Sequence, residues 1–274
     1  MSAKAMPRST PQEASEQLLL AGYLKQLRLP TLVENHRKFA EEAAQAGLSH
    51  ERYLLSLVEQ EIAQREKNQQ VRLVKAARFP ALKELADFDF SLVPSVNKAE
   101  ILDLSRGAYL TRAEPILMVG NPGLGKTHLA ISLALSAVRQ GHKVRFYNAA
   151  GLANDLLLAQ EKHLVPRLLG QVLKFRLVVL DEFGFIPFSA SAAQLMFQFC
   201  ATLYERVALI VTTNLRFAEW TQVMGGDERL TAALLDRLTH RANVLEFVGE
   251  SYRFRQRRER RKPDRGADAP AAGL

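Results

Sequence analysis

Apolar and polar residues follow two different periods along the chain, and the change falls near residue 80. In the first third, apolar side chains recur three or four positions apart, as at Leu54, Leu57 and Val58, a spacing typical of amphipathic helices. Thr10 followed by Pro11 is a helix start signal. We predict an all-helical module over residues 1–79, with helices at about 11–29, 31–46 and 49–78 and a disordered lead at 1–9. The pattern leaves open whether this module is a structural bundle or a contact surface for DNA or a protein partner.

From Ile116 onward, short apolar runs alternate with longer amphipathic stretches. The runs predict strands at 116–119, 144–147, 176–181, 207–213 and 243–247. The stretches between them predict helices at 126–140, 149–160, 164–174, 190–206 and 228–239. This alternation indicates an α/β domain over residues 98–250, in which a five-stranded parallel sheet carries helices on both faces. Residues 80–97, rich in proline and phenylalanine, are predicted to be a packed connector, and residues 251–274 a basic tail.

Composition narrows the class of protein without identifying it. The 274 residues are 47% hydrophobic and 24% charged, which is typical of a globular protein. No apolar run approaches the roughly 18 residues of a membrane span, and the N-terminus lacks the apolar core of a secretory signal. The single cysteine, Cys200, lies in an apolar stretch, so we expect a buried thiol in a protein of the reducing cytoplasm.

The positive charge is concentrated near the C-terminus. The chain has a net charge of +8, and residues 253–265 hold eight arginines or lysines against Glu259 and Asp264, a local net of +6 that leaves +2 for everything else. A whole-chain charge therefore overstates how basic the folded body is.

A glycine-rich segment follows the first predicted strand and precedes a predicted helix. It fits the phosphate-binding pattern G-x-x-x-x-G-K-[ST], and its residues are Gly120, Asn121, Pro122, Gly123, Leu124, Gly125, Lys126 and Thr127. In such a loop the backbone N–H groups surround the phosphates of a nucleotide, the lysine reaches the β and γ oxygens, and the hydroxyl ligates Mg²⁺. The sequence therefore predicts nucleotide binding, with Lys126 and Thr127 in these two roles.

Polar residues also end two other predicted strands. Asp181 and Glu182 follow an apolar run about 55 residues after the loop, where Asp181 is expected to hold Mg²⁺ and Glu182 to accept a proton from the attacking water. Asn214 ends the next run and either senses the γ-phosphate or caps a helix beginning near Phe217. His128 follows the loop, and the residues favour a packing or capping role for it.

Two arginines stand late in the last predicted helix. Arg237, with Arg241 one turn on, is placed either to stabilise the transition state of phosphoryl transfer from a neighbouring subunit or to complement the helix dipole. The residues alone favour the dipole interpretation for both.

Several of these segments, in this order, closely resemble the IstB family of insertion-sequence transposition helpers, which are AAA+ ATPases close to DnaC-like helicase loaders. The matching segments are Gly-Asn-Pro-Gly-Leu-Gly-Lys-Thr-His, Val-Val-Leu-Asp-Glu-Phe-Gly, Thr-Thr-Asn-Leu, Leu-Asp-Arg-Leu-Thr-His-Arg and Gly-Glu-Ser-Tyr-Arg. The resemblance covers roughly residues 15–262.

The resemblance implies properties that the spacing does not. It implies an AAA+ core without a C-terminal lid, in which the Asn214 strand separates the phosphate-loop strand from the Asp181 strand. It places Asn214 at a sensor position, Arg237 at an arginine finger and residues 120–128 on bound ATP, with Mg²⁺ as a second cofactor. It further implies a bacterial cytoplasmic protein that forms ATP-dependent oligomers on double-stranded DNA without sequence specificity, with ATP sites between subunits, and delivers that DNA to a partner transposase.

DNA contacts are the least defined part of this prediction. Phosphate neutralisation requires lysine and arginine, and the candidates are Arg255, Arg257, Arg258, Arg260 and Arg261 in the tail, and Lys162, Arg167 and Lys174 between strands two and three. The alternatives to a transposition helper are a DnaC-like helicase loader, a metabolite kinase and a scaffold with an inactive nucleotide site.

Overall fold

The computed structural model describes residues 11–249 and 251–252. It divides into two compact units, Met1–Val71 and Arg72–Leu274, called here the helical unit and the sheet unit. The predicted lead at residues 1–9 and the five tail arginines from Arg255 to Arg261 lie outside the described residues.

Three helices make up the described part of the helical unit, which confirms the predicted all-helical region. They are α1 (Pro11–Gln26), α2 (Pro30–Gln45) and α3 (His50–Ala77). The division between the units falls inside α3, and its last turns pack on the core of the sheet unit through Leu73, Val74 and Ala77. The division between the two units therefore lies within α3, some residues before the end of the helix. The sequence pattern changes only after that end, near residue 80.

A buried carboxylate connects α2 with α3. The α2 N-terminus has no side-chain cap of its own, and the N–H of Thr31 instead donates to Oε2 of Glu61 at 2.9 Å. Burial opposes ionisation of Glu61, but hydrogen bonds from Arg65 and Thr31 outweigh it and lower its pKa. A charged carboxylate at a helix N-terminus stabilises the helix, because it interacts favourably with the helix dipole.

The described residues of the sheet unit form five parallel strands in the order β2-β3-β4-β1-β5. Their bounds are β1 (Ile116–Gly120), β2 (Val144–Asn148), β3 (Leu177–Phe183), β4 (Ala208–Thr213) and β5 (Asn243–Phe247). All five predicted strands are confirmed. The implied order is confirmed as well, because β4 lies between the phosphate-loop strand β1 and the Asp181 strand β3.

Eight α-helices among the described residues of this unit surround the sheet. They are α4 (Lys98–Ser105), α5 (Ala108–Arg112), α6 (Lys126–Arg139), α7 (Ala149–Glu161), α8 (Val165–Val172), α9 (Ala190–Leu203), α10 (Trp220–Val223) and α11 (Glu228–Thr239). Three 3₁₀ turns accompany them, at Leu85–Asp87, Phe90–Leu92 and Phe217–Glu219. The sequence analysis did not identify α4, α5 and α10, which are too short to show a helical period. Within residues 11–249 and 251–252, no helix has the length and apolarity of a membrane span.

The two faces of the sheet pack against different helices. Along β3, Val178 and Leu180 join one buried cluster with α7, α8 and α9, whereas Leu177 and Val179 join a second with α4 and α6. This is the alternation that successive strand residues produce, and it confirms the predicted sheet with helices on both faces. Cys200 is buried in the first cluster as expected, and burial raises the pKa of its thiol to about 12, so the thiolate is scarce at neutral pH.

Candidate functional site

The predicted phosphate loop turns between the end of β1 and the start of α6. Gly123 and Gly125 have left-handed backbones, with φ of 85° and 86°, which other residues adopt only with strain. A Cβ at Gly123 would lie 2.3 Å from Oγ of Ser251, and one at Gly125 would lie 2.6 Å from Phe88. The loop therefore requires glycine at both positions, and it opens onto the N-terminus of a 14-residue helix, a site that favours anions.

Lys126 lies at the first position of α6 and is largely buried. Its ammonium group donates to the carbonyls of Gly120 at 2.5 Å and Asn121 at 2.8 Å. These bonds hold the charge across the loop, where the phosphates of a nucleotide are expected.

Asp181 is the centre of a buried hydrogen-bond cluster beside the loop. Its Oδ1 accepts from the hydroxyls of Thr127 at 2.8 Å and Thr212 at 2.6 Å. Burial raises the pKa of Asp181, although these hydroxyls and Lys126 act in the opposite direction. The carboxylate and the Thr127 hydroxyl are thus two hard oxygen groups in direct contact.

An irregularity in β3 turns the two acidic side chains to different environments. The pairing register between β3 and β4 shifts between Leu180 and Phe183, and Glu182 has a left-handed backbone with φ of 58°. Asp181 is buried whereas Glu182 is exposed, and the N–H of Glu182 is held by Oγ1 of Thr212 at 2.9 Å. A bulge of this kind re-aims side chains, often beside active sites.

Asn148, at the end of β2, is a site residue that the sequence analysis missed. Its Nδ2 donates to Oε2 of Glu182 at 2.9 Å, while its Oδ1 caps α7 by accepting from the N–H groups of Ala150 and Gly151. One side chain therefore fixes both a helix start and the exposed carboxylate. The available signal was a polar residue ending the strand next to β3.

A cavity of about 570 Å³ lies over the loop. The phosphate loop, Glu182, Thr212 and Asn214 line it, together with Tyr252 and connector residues between Pro80 and Val93. The cavity brings together all the predicted strand-end residues except Asp181, which lies directly behind Thr127 and Thr212. The alternative of Asn214 as a helix cap is wrong, because Arg216 occupies the N-cap position of the 3₁₀ turn at Phe217–Glu219.

His128 makes its polar contact with the connector. Its Nε2 donates to the carbonyl of Glu84 at 2.8 Å, and its ring meets Phe88 edge-on at 5.5 Å between centroids. Arg139, further along α6, forms two hydrogen bonds with the Glu84 carboxylate. These contacts fix the connector along α6, and a contact of His128 with the cofactor stays a prediction.

Arg237 and the helical DNA candidates lie elsewhere in the sheet unit. Arg237 is not among the described residues that line the cavity; its Nη1 donates to the carbonyl of Ala233 at 2.7 Å and its guanidinium lies 5.1 Å from the ring centre of Phe197. Arg241 is exposed. Lys162, Arg167 and Lys174 are exposed around α8 and also lie away from the cavity lining.

The residues of the site fit both a nucleoside triphosphate and a magnesium ion. The glycines provide room that any Cβ would fill, and Lys126 provides a fixed cation. Among residues 11–249 and 251–252, no group of three or more His, Cys, Asp or Glu side chains is arranged to hold a metal by itself. Thr127 and Asp181 would therefore supply only part of a coordination shell, which suits Mg²⁺, since this ion takes its remaining ligands from phosphates and water.

Because burial raises the pKa of Asp181, its ionised form destabilises the fold when no metal is bound. The folded state binds the proton of Asp181 more tightly than the unfolded chain does. Protonated Asp181 therefore adds to the free energy of unfolding at low pH, and this contribution is lost as pH rises through the folded pKa. In buffer without nucleotide or Mg²⁺, we expect Asp181→Asn to unfold at a higher urea concentration than the unmodified protein at pH 7, with a difference that shrinks in acid. The single tryptophan, Trp220, is buried against Phe183, so its fluorescence reports unfolding of this unit.

The matched control is Asp155→Asn, which neutralises an exposed carboxylate of α7. Addition of ATP and Mg²⁺ should raise the urea midpoint of the unmodified protein and of Asp155→Asn, but not that of Asp181→Asn. An equal response of all three proteins would contradict the metal role of Asp181.

The fold and the site together are those of a P-loop nucleotide-binding protein with the fold of AAA+ domains. A solved structure of DnaI has a TM-score of 0.51 to this chain at 15% identity, covering 61% of this chain and 91% of DnaI. The replication initiator DnaA, solved with AMPPCP and single-stranded DNA, has a TM-score of 0.50 at 20% identity, covering 65% of this chain and 53% of DnaA. At these identities the likeness concerns the fold alone.

The chain belongs to the IstB-like ATP binding protein family, whose sequence model matches residues 22–260. It is 35% identical to the ATP-binding protein named for insertion sequence IS5376 of Geobacillus stearothermophilus, over 86% of this chain and 94% of that protein. It is also 35% identical to the IS21 counterpart of Pseudomonas aeruginosa, over 86% of this chain and 89% of that protein. The resemblance inferred from the motifs is thereby confirmed.

Proposed function

We propose that this protein is an ATPase that assembles on double-stranded DNA with ATP and delivers that DNA to a partner transposase in the bacterial cytoplasm. The observation that carries the proposal is the meeting of Lys126, Thr127, Glu182 and Asn214 at one cavity over a phosphate loop. The family match and the insertion-sequence names of the relatives support the biological setting.

Each site residue has a chemical task in hydrolysis. Lys126 neutralises the β and γ oxygens, and Thr127 with Asp181 holds Mg²⁺, which offsets phosphate charge when bound. Glu182 takes a proton from the attacking water, and its exposed carboxylate, held by Asn148 at 2.9 Å, is positioned to do so. Asn214 hydrogen-bonds the γ-phosphate or that water.

Arg237 completes the site of a neighbouring subunit in this proposal. Its own chain holds it through Ala233 and Phe197, outside the described cavity lining. A guanidinium fixed at a helix end, away from its own nucleotide, suits transition-state stabilisation across an interface. ATP then joins subunits into a homo-oligomer, and hydrolysis releases them.

Non-specific DNA binding is expected to rest on basic side chains. Lys162, Arg167 and Lys174 lie exposed around one short helix, and the tail holds further arginines. Contacts between such cations and phosphates give an affinity that ignores sequence and falls steeply with salt.

The test is a salt titration of duplex DNA binding with a non-hydrolysable ATP analogue. We expect binding only when nucleotide is present, with similar affinity for unrelated sequences. Replacing Lys162, Arg167 and Lys174 with glutamine should reduce the slope of log affinity against log salt by about 0.9 for each cation that contacts a phosphate.

The control variant neutralises Lys143, Arg206 and Arg229, three exposed cations elsewhere on the sheet unit. It changes the net charge equally and should leave the slope intact. Equal slopes for both triple variants would remove α8 from the DNA surface, and a third variant with the five tail arginines replaced then tests the tail. DNA binding without any nucleotide dependence would contradict the proposal as a whole.

The partner decides between transposition and helicase loading. Deleting the gene should lower the transposition frequency of the element that encodes it, and restoring the unmodified protein, but not a hydrolysis-deficient variant, should recover it. An unchanged frequency together with stimulation of a replicative helicase would favour the helicase loader, and phosphorylation of a small molecule would favour a kinase.

A further inference from the structure

The chain that leaves β5 crosses the phosphate loop. The N–H of Tyr252 donates to the carbonyl of Gly123 at 3.0 Å, and Ser251 lies so close to Gly123 that a Cβ there would come within 2.3 Å of its Oγ. We call the described residues Val248, Gly249, Ser251 and Tyr252 the strap. Its backbone is therefore fixed directly on the loop predicted to hold phosphates.

The other end of the strap is fixed on the connector. Oγ of Ser95 donates to the carbonyl of Glu246 at 2.7 Å and accepts from the N–H of Val248 at 2.8 Å. A Cβ at Gly249 would lie 2.2 Å from the carbonyl oxygen of Leu92, so connector and strap are in backbone contact. The strap thus spans from the connector to the phosphate loop, two walls of the same cavity.

Tyr252 places an aromatic side chain on that cavity. It lines the cavity together with Phe88, Leu92 and Val93 of the connector, and the residue is 52% exposed. With phosphates in the loop, the ribose and base of a nucleotide would extend towards the walls that the connector and the strap form. A half-exposed ring on a fixed backbone offers a stacking surface for a planar base at a small cost in side-chain entropy.

We infer that Tyr252 is a nucleoside-binding residue that contacts the base of a purine nucleoside triphosphate held by the phosphate loop. The inference rests on the proposed function, because it requires a nucleotide in the cavity. It adds a contact from the end of the chain to a site otherwise built by the loop, the strand ends and the connector. Phosphate recognition by Lys126 and base recognition by Tyr252 are then separable.

The experiment compares two ligands that differ by the nucleoside. Affinities for ATP and for inorganic tripolyphosphate are measured by calorimetry, with Mg²⁺, for the unmodified protein, Tyr252→Ala and Tyr252→Phe. Because base stacking on an aromatic side chain is lost, we expect Tyr252→Ala to weaken ATP binding about tenfold and to leave tripolyphosphate binding unchanged. Tyr252→Phe keeps the ring and should bind both ligands as the unmodified protein does.

Tyr23→Ala is the matched control, since Tyr23 of α1 is 55% exposed and does not line the cavity. It should bind both ligands normally. Equal weakening of ATP and tripolyphosphate by Tyr252→Ala would overturn the inference and show that Tyr252 supports the loop instead. Unchanged ATP affinity would overturn it as well. If the unmodified protein binds neither ligand, the proposed function fails, and that result differs from every outcome that concerns Tyr252 alone.

Discussion

Replacing Lys126 with alanine is expected to weaken ATP binding on the order of a hundredfold and, with it, nucleotide-dependent assembly on DNA. Lys126 is buried, and the carbonyls of Gly120 and Asn121 hold its ammonium group, so alanine leaves the loop without this cation. Loss of a hydrogen-bonded charge contact costs about 3 kcal/mol, which corresponds to a rise in Kd on the order of a hundredfold. Titration with a fluorescent ATP analogue measures the Kd, and sedimentation with duplex DNA measures assembly.

Lys143→Ala is the control, because Lys143 is an exposed lysine just before β2 and does not line the cavity. It should bind ATP and assemble as the unmodified protein does. Urea unfolding followed by Trp220 fluorescence establishes that Lys126→Ala remains folded. Full assembly of a folded Lys126→Ala protein would show that nucleotide and DNA binding are not coupled.

Local signals in the sequence were sufficient to predict the strands and the phosphate loop of the sheet unit, whereas the strand order came from the family resemblance. Strands β1, β3 and β4 each contain a short apolar run, and the glycines, Lys126 and Thr127 lie close together in the chain. The carboxyl ends of parallel strands meet at one edge, so Asp181 and Asn214 could be placed near the loop from their positions alone.

The residues that the sequence analysis missed act over long separations. Asn148 of β2 contacts Glu182 of the adjacent strand β3, and its own segment marks it only as a polar residue that ends a strand and caps a helix. Tyr252 and Ser251 contact Gly123, which lies far from them in the chain. The bulge that gives Glu182 its left-handed backbone also has no local signature, since it arises from pairing with β4.

The packing partners of the connector could not be predicted from its sequence either. Its phenylalanines indicated that it packs, but they did not indicate which element it packs against. Contacts from His128 and Arg139 to Glu84 fix it along α6, and Phe88 lies against the position where Gly125 lacks a side chain. A wall of the cavity therefore comes from a segment whose sequence carries no nucleotide-binding motif.

Replacing Glu182 with glutamine is expected to stop hydrolysis while leaving ATP binding intact. The amide has the shape of the carboxylate and can still accept the hydrogen bond from Asn148, but it cannot take the proton of the attacking water. Loss of a positioned general base lowers the rate by about 10²- to 10⁴-fold, so phosphate release should fall by that factor with the ATP Kd unchanged. An unchanged rate would show that another group is the base.

Mixing variants tests whether Arg237 acts across an interface. Arg237→Ala and Glu182→Gln should each be inactive alone, but an Arg237→Ala subunit beside a Glu182→Gln neighbour has an intact base and an intact arginine facing it. With random assembly of equal amounts, about a quarter of the sites are complete if the finger acts in trans, and phosphate release should recover to that fraction. The control mixture combines Arg237→Ala with a variant that carries both Arg237→Ala and Glu182→Gln. It should stay inactive, because no subunit in this mixture supplies Arg237. No recovery in the first mixture would place Arg237 in a structural role with Phe197 and Ala233, and the same mixture with Arg241→Ala then tests the neighbouring arginine as the finger.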